Sequence, residues 1–342
     1  MISASKEGHF TKFEEKSDPI NEDTSLTVKL EACGICGSDL GNIFGDSTKP
    51  TEKIGHEISG TIVSKGKNIN NFDVGDRIFV HHHASCDECY FCKHGNQTMC
   101  EQFVDSLEPC GLSEKFLVPT WILKKDAIIK IPDSMTFEEA ALIEPLACCV
   151  RALKKISISN NDSVVIFGAG SIGAMHGMLA KFFGIKQIYF IDPNETKLDF
   201  IEKNNIGIPL RLNPEQIQKM ILEKTNNRGV DLVIIATSNM TIIKEAINLV
   251  RKGGTILLFG EPNKDAKIDL DFSKVYSKEI SIIPTYAASM DDVNQAFDLI
   301  NKKQVNVEQL ITHQFPLSEL NQALQQAQSG KNSMKVVIRP DQ

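Results

Sequence analysis

The chain has 342 residues, of which 42% are hydrophobic and 24% charged, a composition that suits about two globular domains and excludes wholesale disorder or a fibrous repeat. A formal charge of -7 and a pI near 5.7 lack the basic excess that neutralises nucleic-acid phosphates, so no nucleic-acid partner is expected. Met1 to Lys6 lead into charged sequence without a signal peptide's apolar core, and no run reaches the roughly 20 apolar residues of a membrane span; no membrane association is expected, and the cytoplasm is the expected compartment.

Short β-rich runs broken by Gly and Asp come first, at 26–30, 58–63 and 77–81, the texture of a small β-rich domain. Within this stretch lie Cys33-Gly34-Ile35-Cys36-Gly37-Ser38-Asp39 and Gly55-His56-Glu57. A thiolate, an imidazole and a carboxylate form a mixed donor set that suits catalytic Zn²⁺. Read separately, Cys33 and Cys36 equally suit a redox pair, and His56 a hydrogen-bonded core histidine.

Next, His81-His82-His83 lead into Cys86-x2-Cys89-x2-Cys92-x7-Cys100. Four cysteines at this spacing close around one tetrahedral Zn²⁺ with no open position, which predicts a structural zinc lobe. A redox pair or disulfide knot competes, but a knot suits small secreted domains and a redox site uses two cysteines. Further on, Glu144 stands in the apolar run 140–150, where an unpaired carboxylate is costly. Cys148 and Cys149 in the same run read as buried packing, as does Cys110 upstream.

From Ser163 the texture changes to apolar strands at 164–167, 188–191, 232–235 and 255–259, alternating with helical stretches, which predicts a parallel sheet with crossover helices. Gly168-Ala169-Gly170-Ser171-Ile172-Gly173 follows the first of these strands and opens an apolar helix. Gly168 permits a tight turn, Gly170 lets backbone approach a pyrophosphate, and Gly173 allows close helix packing. The second strand ends at Asp192, near the offset at which a carboxylate holds ribose hydroxyls and repels a 2′-phosphate, favouring NAD over NADP. The bland alternative is that Asp192 merely starts a turn before Pro193. After Pro284, Val293, Ala296, Phe297 and Ile300 mark one buried helical face, and 336–338 read as a closing strand. A nucleotide domain is thus inserted between two parts of another domain.

Cys33 to Asp39, Gly55 to Gly60, Val74 to Arg77, the cysteine ladder, Glu144-Pro145-Leu146 and the glycine turn together resemble the zinc-dependent medium-chain alcohol dehydrogenase family, most closely its sorbitol dehydrogenase-like polyol branch. The resemblance covers nearly the whole chain. It implies an α/β fold: a GroES-like β-rich catalytic domain at 1–146 and 285–342, a Rossmann doubly wound parallel sheet at 147–284, and an active site in the cleft between them.

The resemblance makes Cys36 and His56 catalytic-zinc ligands and leaves Cys33 aside. Glu57 becomes a ligand or an exchanging neighbour, and Glu144 a further acidic donor that binds zinc directly or through water. Asp39 would orient the His56 ring, and Ser38 would relay the substrate proton. Ala236, Thr237, Phe259 and Gly260 match positions that contact nicotinamide and its ribose. Lys197 and Lys335 match positions near the adenosine ribose and the pyrophosphate, with a solvated surface charge as the alternative for each. Zinc would ease deprotonation of a bound alcohol and stabilise the alkoxide, which passes hydride to NAD.

Several residues depart from the family pattern. Gly41 replaces a histidine common in the relay, Ala236-Thr237-Ser238 lacks a frequent glycine, and Cys110-Gly111-Leu112-Ser113-Glu114 alters a glycine-rich turn. His82 falls where relatives line the substrate pocket, so a polar pocket for a polyol, sugar or secondary alcohol is expected. The three histidines could instead end a strand or bind metal adventitiously. Threonine, diol and short-chain alcohol dehydrogenases are the runners-up. A noncatalytic structural or sensor role and zinc-free quinone reduction also compete, but neither needs the zinc residues. Relatives are commonly dimers or tetramers, with Ile280 to Ile283 a candidate edge strand for a homodimer or homotetramer.

Overall fold

The computed structural model describes residues 1–7, 10–15, 23–45, 53–103, 107–108 and 110–341. The chain divides into two compact units, Met1–Cys148 with Ala287–Gln342, and Cys149–Tyr286. Among the described residues no helix is long and apolar enough to cross a membrane.

The first unit is organised by one mixed sheet. Its strands run in the order Ile311–Pro316, Lys335–Arg339, Leu26–Gly34, Glu57–Lys65, Arg77–Val80 and Ile128–Lys130, and Lys115–Val118 pairs separately with Leu26–Gly34. Leu26, Val28, Leu30, Ile58, Ile62, Ile78 and Phe116 are fully buried and form its core. Each such side chain contributes about 1.5–3 kcal/mol on burial. Strand register also sets up the chemistry: Gly34 pairs with Glu57 on one side and Val337 on the other. A β-carbon on Gly34 would stand 1.9 Å from Glu57 Oε2, so only glycine leaves room for that carboxylate.

Glu144 is delivered by a helical corner. Thr136 caps the helix Phe137–Ala141: Glu139 N donates to Thr136 Oγ1 at 3.1 Å, and Thr136 N donates to Glu139 Oε2 at 3.0 Å. The helix Ile143–Lys154 follows with Glu144 in its first turn.

In the second unit six parallel strands are ordered Ile208–Pro209, Gln187–Ile191, Ser163–Phe167, Val230–Ile235, Val250–Leu258 and Ser281–Pro284. In sequence rank this is 3-2-1-4-5-6, the doubly wound order whose direction reverses between the first and fourth strands. Ser163–Phe167 is buried along its whole length, as a central parallel strand covered on both faces must be. Ser281–Pro284 forms one edge, with half-buried Ile282 and Ile283 between exposed Ser281 and Pro284.

Candidate active site

The four ladder cysteines converge. Their sulfurs all lie within 4.8 Å of one another, three of them buried. Backbone amides point at these sulfurs: Cys86 N donates to Cys100 Sγ at 3.2 Å, Cys89 N to Cys86 Sγ at 3.2 Å, and Gln102 N to Cys100 Sγ at 3.3 Å. The amides of Cys92 and Glu101 hold the Cys89 thiol down to about 6, while burial and the neighbouring Cys89 push Cys92 up to about 12. With Cys89 ionised, a second thiolate at Cys92 is disfavoured, and a divalent ion would remove that penalty. The donor set fits Zn²⁺. No disulfide joins any cysteine in the chain's described residues.

A second constellation forms around Asp39, at the start of the helix Gly37–Phe44. Asp39 Oδ2 accepts from Cys36 N at 3.1 Å, Oδ1 accepts from Gly55 N at 2.9 Å, and Oδ1 stands 3.5 Å from His56 Nδ1. One buried carboxylate therefore ties together two donors twenty positions apart in the chain. With Nδ1 turned to Asp39, Nε2 is left for a metal, and Ser38 Oγ lies 3.4 Å from it. Burial disfavours charge on His56, but Asp39 and Cys36 outweigh it and lift the ring's pKa well above its ordinary value. Burial likewise opposes ionisation of Asp39, and His56 with the two backbone amides reverses that, holding its carboxyl below the usual range.

Glu57 and Lys335 depart from expectation. Lys335 Nζ lies 2.7 and 2.8 Å from the two Glu57 oxygens and 3.1 Å from the Ile35 carbonyl oxygen. The lysine is 3% exposed, and all three of its donors are engaged, so none is left for a pyrophosphate. Lys335 is neither a cofactor contact nor a solvated surface charge; it neutralises Glu57.

Glu144 is buried, and desolvation together with Glu57 raises its pKa against the pull of His56. Its Oε1 accepts from the Cys148 thiol at 3.5 Å. Cys149 is fully buried as packing, but Cys148 is half-buried and faces Glu144. The ladder is the one set of His, Cys, Asp and Glu donors mutually within 4.8 Å among the described residues. No three of Cys36, His56, Glu57 and Glu144 come within that limit of one another, although the Cys36 and His56 side chains are close enough to hydrogen-bond.

His82 is 5% exposed, and its ring lies tilted against those of His56 and His83, with centroids 4.9 and 3.9 Å away. Burial and the adjacent imidazoles drive its pKa well below the ordinary value, so His82 is neutral. Cys110 is buried, with Sγ 3.3 Å from both the Ala4 carbonyl oxygen and Ser113 Oγ.

In the second unit the expected dinucleotide residues gather at one end of the sheet, at the reversal point. Gly168 has φ of +99°, and a β-carbon there would meet the Ala236 carbonyl oxygen at 2.8 Å. A β-carbon on Gly173 would stand 1.8 Å from the Gly168 oxygen, which fixes how closely the helix Ser171–Phe182 approaches the turn. Ser171 and Ile172 form that helix's first turn, whose amides suit an anion. Lys197 Nζ lies 3.9 Å from the β-carbon position of Gly170. Gly260 packs against Thr237 so closely that a β-carbon would stand 2.1 Å from the Thr237 oxygen. Phe259 N and Gly260 N both donate to the Ile235 oxygen.

Asp192 has a second task. Its Oδ2 accepts from Ala169 N at 2.7 Å and its Oδ1 from Asn194 N at 2.8 Å, so it braces the glycine turn from the next strand. Each oxygen keeps a further lone pair for a ribose hydroxyl. One buried residue here escaped notice in the sequence. His176, on the helix Ser171–Phe182, is fully buried with no hydrogen-bond partner among the described residues on either ring nitrogen, its ring edge-on to Phe259 at 4.7 Å. A histidine in an apolar helix carries no spacing signal that marks it.

A doubly wound sheet with a glycine turn, together with a β-rich unit carrying two sets of zinc donors, defines a zinc-dependent oxidoreductase. Residues 22–133 match the family described as Alcohol dehydrogenase GroES-like domain, and residues 171–302 match Zinc-binding dehydrogenase. The chain is 29% identical over 341 residues to sorbitol dehydrogenase of Halalkalibacterium halodurans, covering 97% of this chain and 96% of the relative. It is 31% identical over 337 residues to the probable D-xylulose reductase A of Aspergillus fumigatus, covering 94% and 92%. The fold superimposes on 2R,3R-butanediol dehydrogenase from Bacillus subtilis with a TM-score of 0.86 at 23% identity, covering 99% of each chain. The chain belongs to the zinc-dependent medium-chain alcohol dehydrogenase family, in its polyol dehydrogenase branch. It is an enzyme of that type, and its cofactors are zinc and a nicotinamide dinucleotide.

Proposed function

We propose that the enzyme oxidises one secondary hydroxyl of an acyclic polyol, or reduces the matching ketose, with NAD as hydride carrier. The observation that carries this reading is the Asp39 carboxylate, which gathers Cys36 and His56 around one point with Ser38 beside them. When bound, zinc supplies a Lewis acid that makes a substrate hydroxyl easier to ionise, and the nicotinamide supplies the hydride acceptor.

The chain's own residues do the rest. Cys36, His56 and Glu144 would hold the metal, and Asp39, on the Nδ1 side of the His56 ring, would leave Nε2 free to bind it. Ser38, exposed at the helix start, takes the hydroxyl proton toward solvent without the histidine that Gly41 replaces. His82, neutral and beside His56, contributes to a polar wall that favours substrates rich in hydroxyls. Gly168, Gly170, Ser171, Ile172, Gly173 and Lys197 seat the diphosphate, with Ala236, Thr237, Phe259 and Gly260 toward the nicotinamide. Asp192 supports NAD over NADP because a 2′-phosphate would meet a carboxylate. The names of the two curated relatives support the polyol class. The exposed edge strand Ser281–Pro284 supports a homodimer or homotetramer built through sheet pairing.

The deciding experiment is a panel of polyols, sugars, diols, threonine and simple alcohols assayed with NAD and NADP on zinc-loaded protein. Polyol-dependent NADH formation is expected. Absence of substrate-dependent reduction of either cofactor sinks the reading. Cys36→Ser is expected to abolish most turnover in a folded protein, and full turnover in that variant defeats the ligand assignment.

A further inference from the structure

A series of ring contacts runs from His56 to the cysteine lobe. The ring centroids of His56 and His82 are 4.9 Å apart, those of His82 and His83 3.9 Å, and those of His83 and Phe103 4.4 Å, with interplanar angles of 46, 41 and 38°. Phe103 in turn packs against the buried cluster of Cys86, Cys92 and Cys100. The backbone on either side of His82 and His83 is fixed: His81 N donates to the Ala127 oxygen at 2.9 Å, and Trp121 Nε1 donates to the Ala84 oxygen at 3.2 Å. The His82 ring has no such tie at Nδ1, which is buried without a hydrogen-bond partner among the described residues. Its orientation therefore rests on the rings around it, His56, His83 and, edge-on at 5.5 Å, His81. Asp39 steadies His56, and the Ala288 oxygen accepts from His81 Nε2 at 3.2 Å. His83 leans on Phe103, and so on the lobe.

Resting on the polyol reading above, we propose that Phe103 is a positioning residue for polyol recognition: seated on the cysteine lobe, it holds the His83 ring, and through it the His82 ring, at the angle that meets a substrate hydroxyl. A neutral imidazole carries one N–H donor and one bare acceptor nitrogen, and a hydroxyl away from the reacting carbon of a polyol offers the matching partner. Such a hydrogen bond weakens steeply once its angle falls below about 120°. A His82 ring turned by loosened packing therefore stops rewarding the extra hydroxyl, whereas a simple secondary alcohol never used it. The lobe thus acts on the choice of substrate and leaves the reacting atoms alone.

The test compares kcat/KM for sorbitol and for propan-2-ol, with NAD, on full-length zinc-loaded protein whose metal content is confirmed by elemental analysis. Phe103→Leu keeps apolar contact with the sulfurs but removes the flat ring. It is expected to lower the sorbitol to propan-2-ol ratio about tenfold, the loss of one well-placed hydrogen bond, chiefly by raising KM for sorbitol. Phe103→Tyr, which keeps the ring, is expected to restore the ratio. An unchanged ratio in Phe103→Leu, or an equal fall for both substrates, overturns the proposal, because Phe103 then serves only the stability of the lobe. Nuclear magnetic resonance of ring-labelled histidines gives a readout without turnover: Phe103→Leu is expected to shift the His82 and His83 signals and leave His176, in the other unit, unmoved. A stationary His82 signal overturns the proposal. Should Phe103→Leu lose the lobe ion, His83→Phe and His83→Ala decide instead: the first is expected to keep the ratio and the second to lower it about tenfold, and equal ratios in the two overturn the proposal. A wild-type protein with no preference for sorbitol over propan-2-ol defeats the polyol reading, and the proposal falls with it. A wild-type preference that survives Phe103→Leu with the lobe ion in place defeats the proposal alone.

Discussion

Lys335 grips Glu57 through both carboxylate oxygens, at 2.7 and 2.8 Å, in a place where the pair is 3% and 0% exposed. Gly34 makes this possible, because the strand that carries Lys335 and the strand that carries Glu57 flank the one that ends at Gly34. Two residues 278 apart in sequence thus form one neutral unit in the core.

Breaking that unit on one side strands a charge in low dielectric. Lys335→Met is expected to destabilise the protein by about 3–5 kcal/mol in urea unfolding, and the double change with Glu57→Gln to recover most of the loss. Equal destabilisation by the single and double variants would show that Lys335 matters for something other than the Glu57 charge.

Asp192 combines bracing with discrimination. Asp192→Ala is expected to lower the ratio of kcat/KM for NAD over NADP about tenfold, as repulsion of a 2′-phosphate disappears. The two cofactors assayed side by side on the variant check this. An unaltered ratio confines Asp192 to holding the Ala169 amide.

His176 makes stability depend on pH. Burial depresses its pKa to about 3, whereas an unfolded histidine titrates near 6.5. Below about 6.5 the unfolded chain binds a proton that the folded chain refuses, so the contribution is whole above that pH and is lost as pH falls toward 3, by up to about 1.4 kcal/mol per unit. Chemical unfolding of wild type and His176→Leu between pH 4 and pH 8 is expected to show a shallower acid loss in the variant (about the range set by these two pKa values). Parallel pH profiles count against it.

Cys89→Ser removes one of four ladder donors. Bound zinc is expected to fall by about half, with proteolytic cutting appearing within 86–100. Elemental analysis and limited digestion read both effects. Full zinc content in this variant would place the second ion elsewhere.

The glycine turn, the ladder and the Cys36, Ser38 and His56 positions were legible because each depends on short-range spacing. Gly168 needs a positive φ, Gly173 needs to lack a side chain, and four thiols within a segment of fifteen positions leave few geometries. What stayed hidden depends on strand register. Nothing local to Lys335 announces a partner at Glu57, since only the placement of Gly34 between their strands brings them together. Cys148 was different: Glu144-x3-Cys148 is a spacing the sequence displays, but reading the run as uniformly buried concealed that Cys148 faces a carboxylate while Cys149 faces the core. His176 was masked by the apolar company that makes it unusual.

Asp39 holds the backbone on both sides of its metal site before any ion arrives, through Cys36 N and Gly55 N. That seat is anchored to sheet strands, so filling it orders little chain. The ladder lies on loops around the short helix Tyr90–Lys93 and not on sheet strands, with backbone amides pointing at its sulfurs. The two ions are therefore expected to differ in how readily the protein releases and regains them. Under zinc scarcity the enzyme is expected to fall silent while keeping its shape, and to regain activity on resupply without refolding. Loss of the lobe ion, by contrast, is damage that a fresh supply of metal repairs only if the segment folds again.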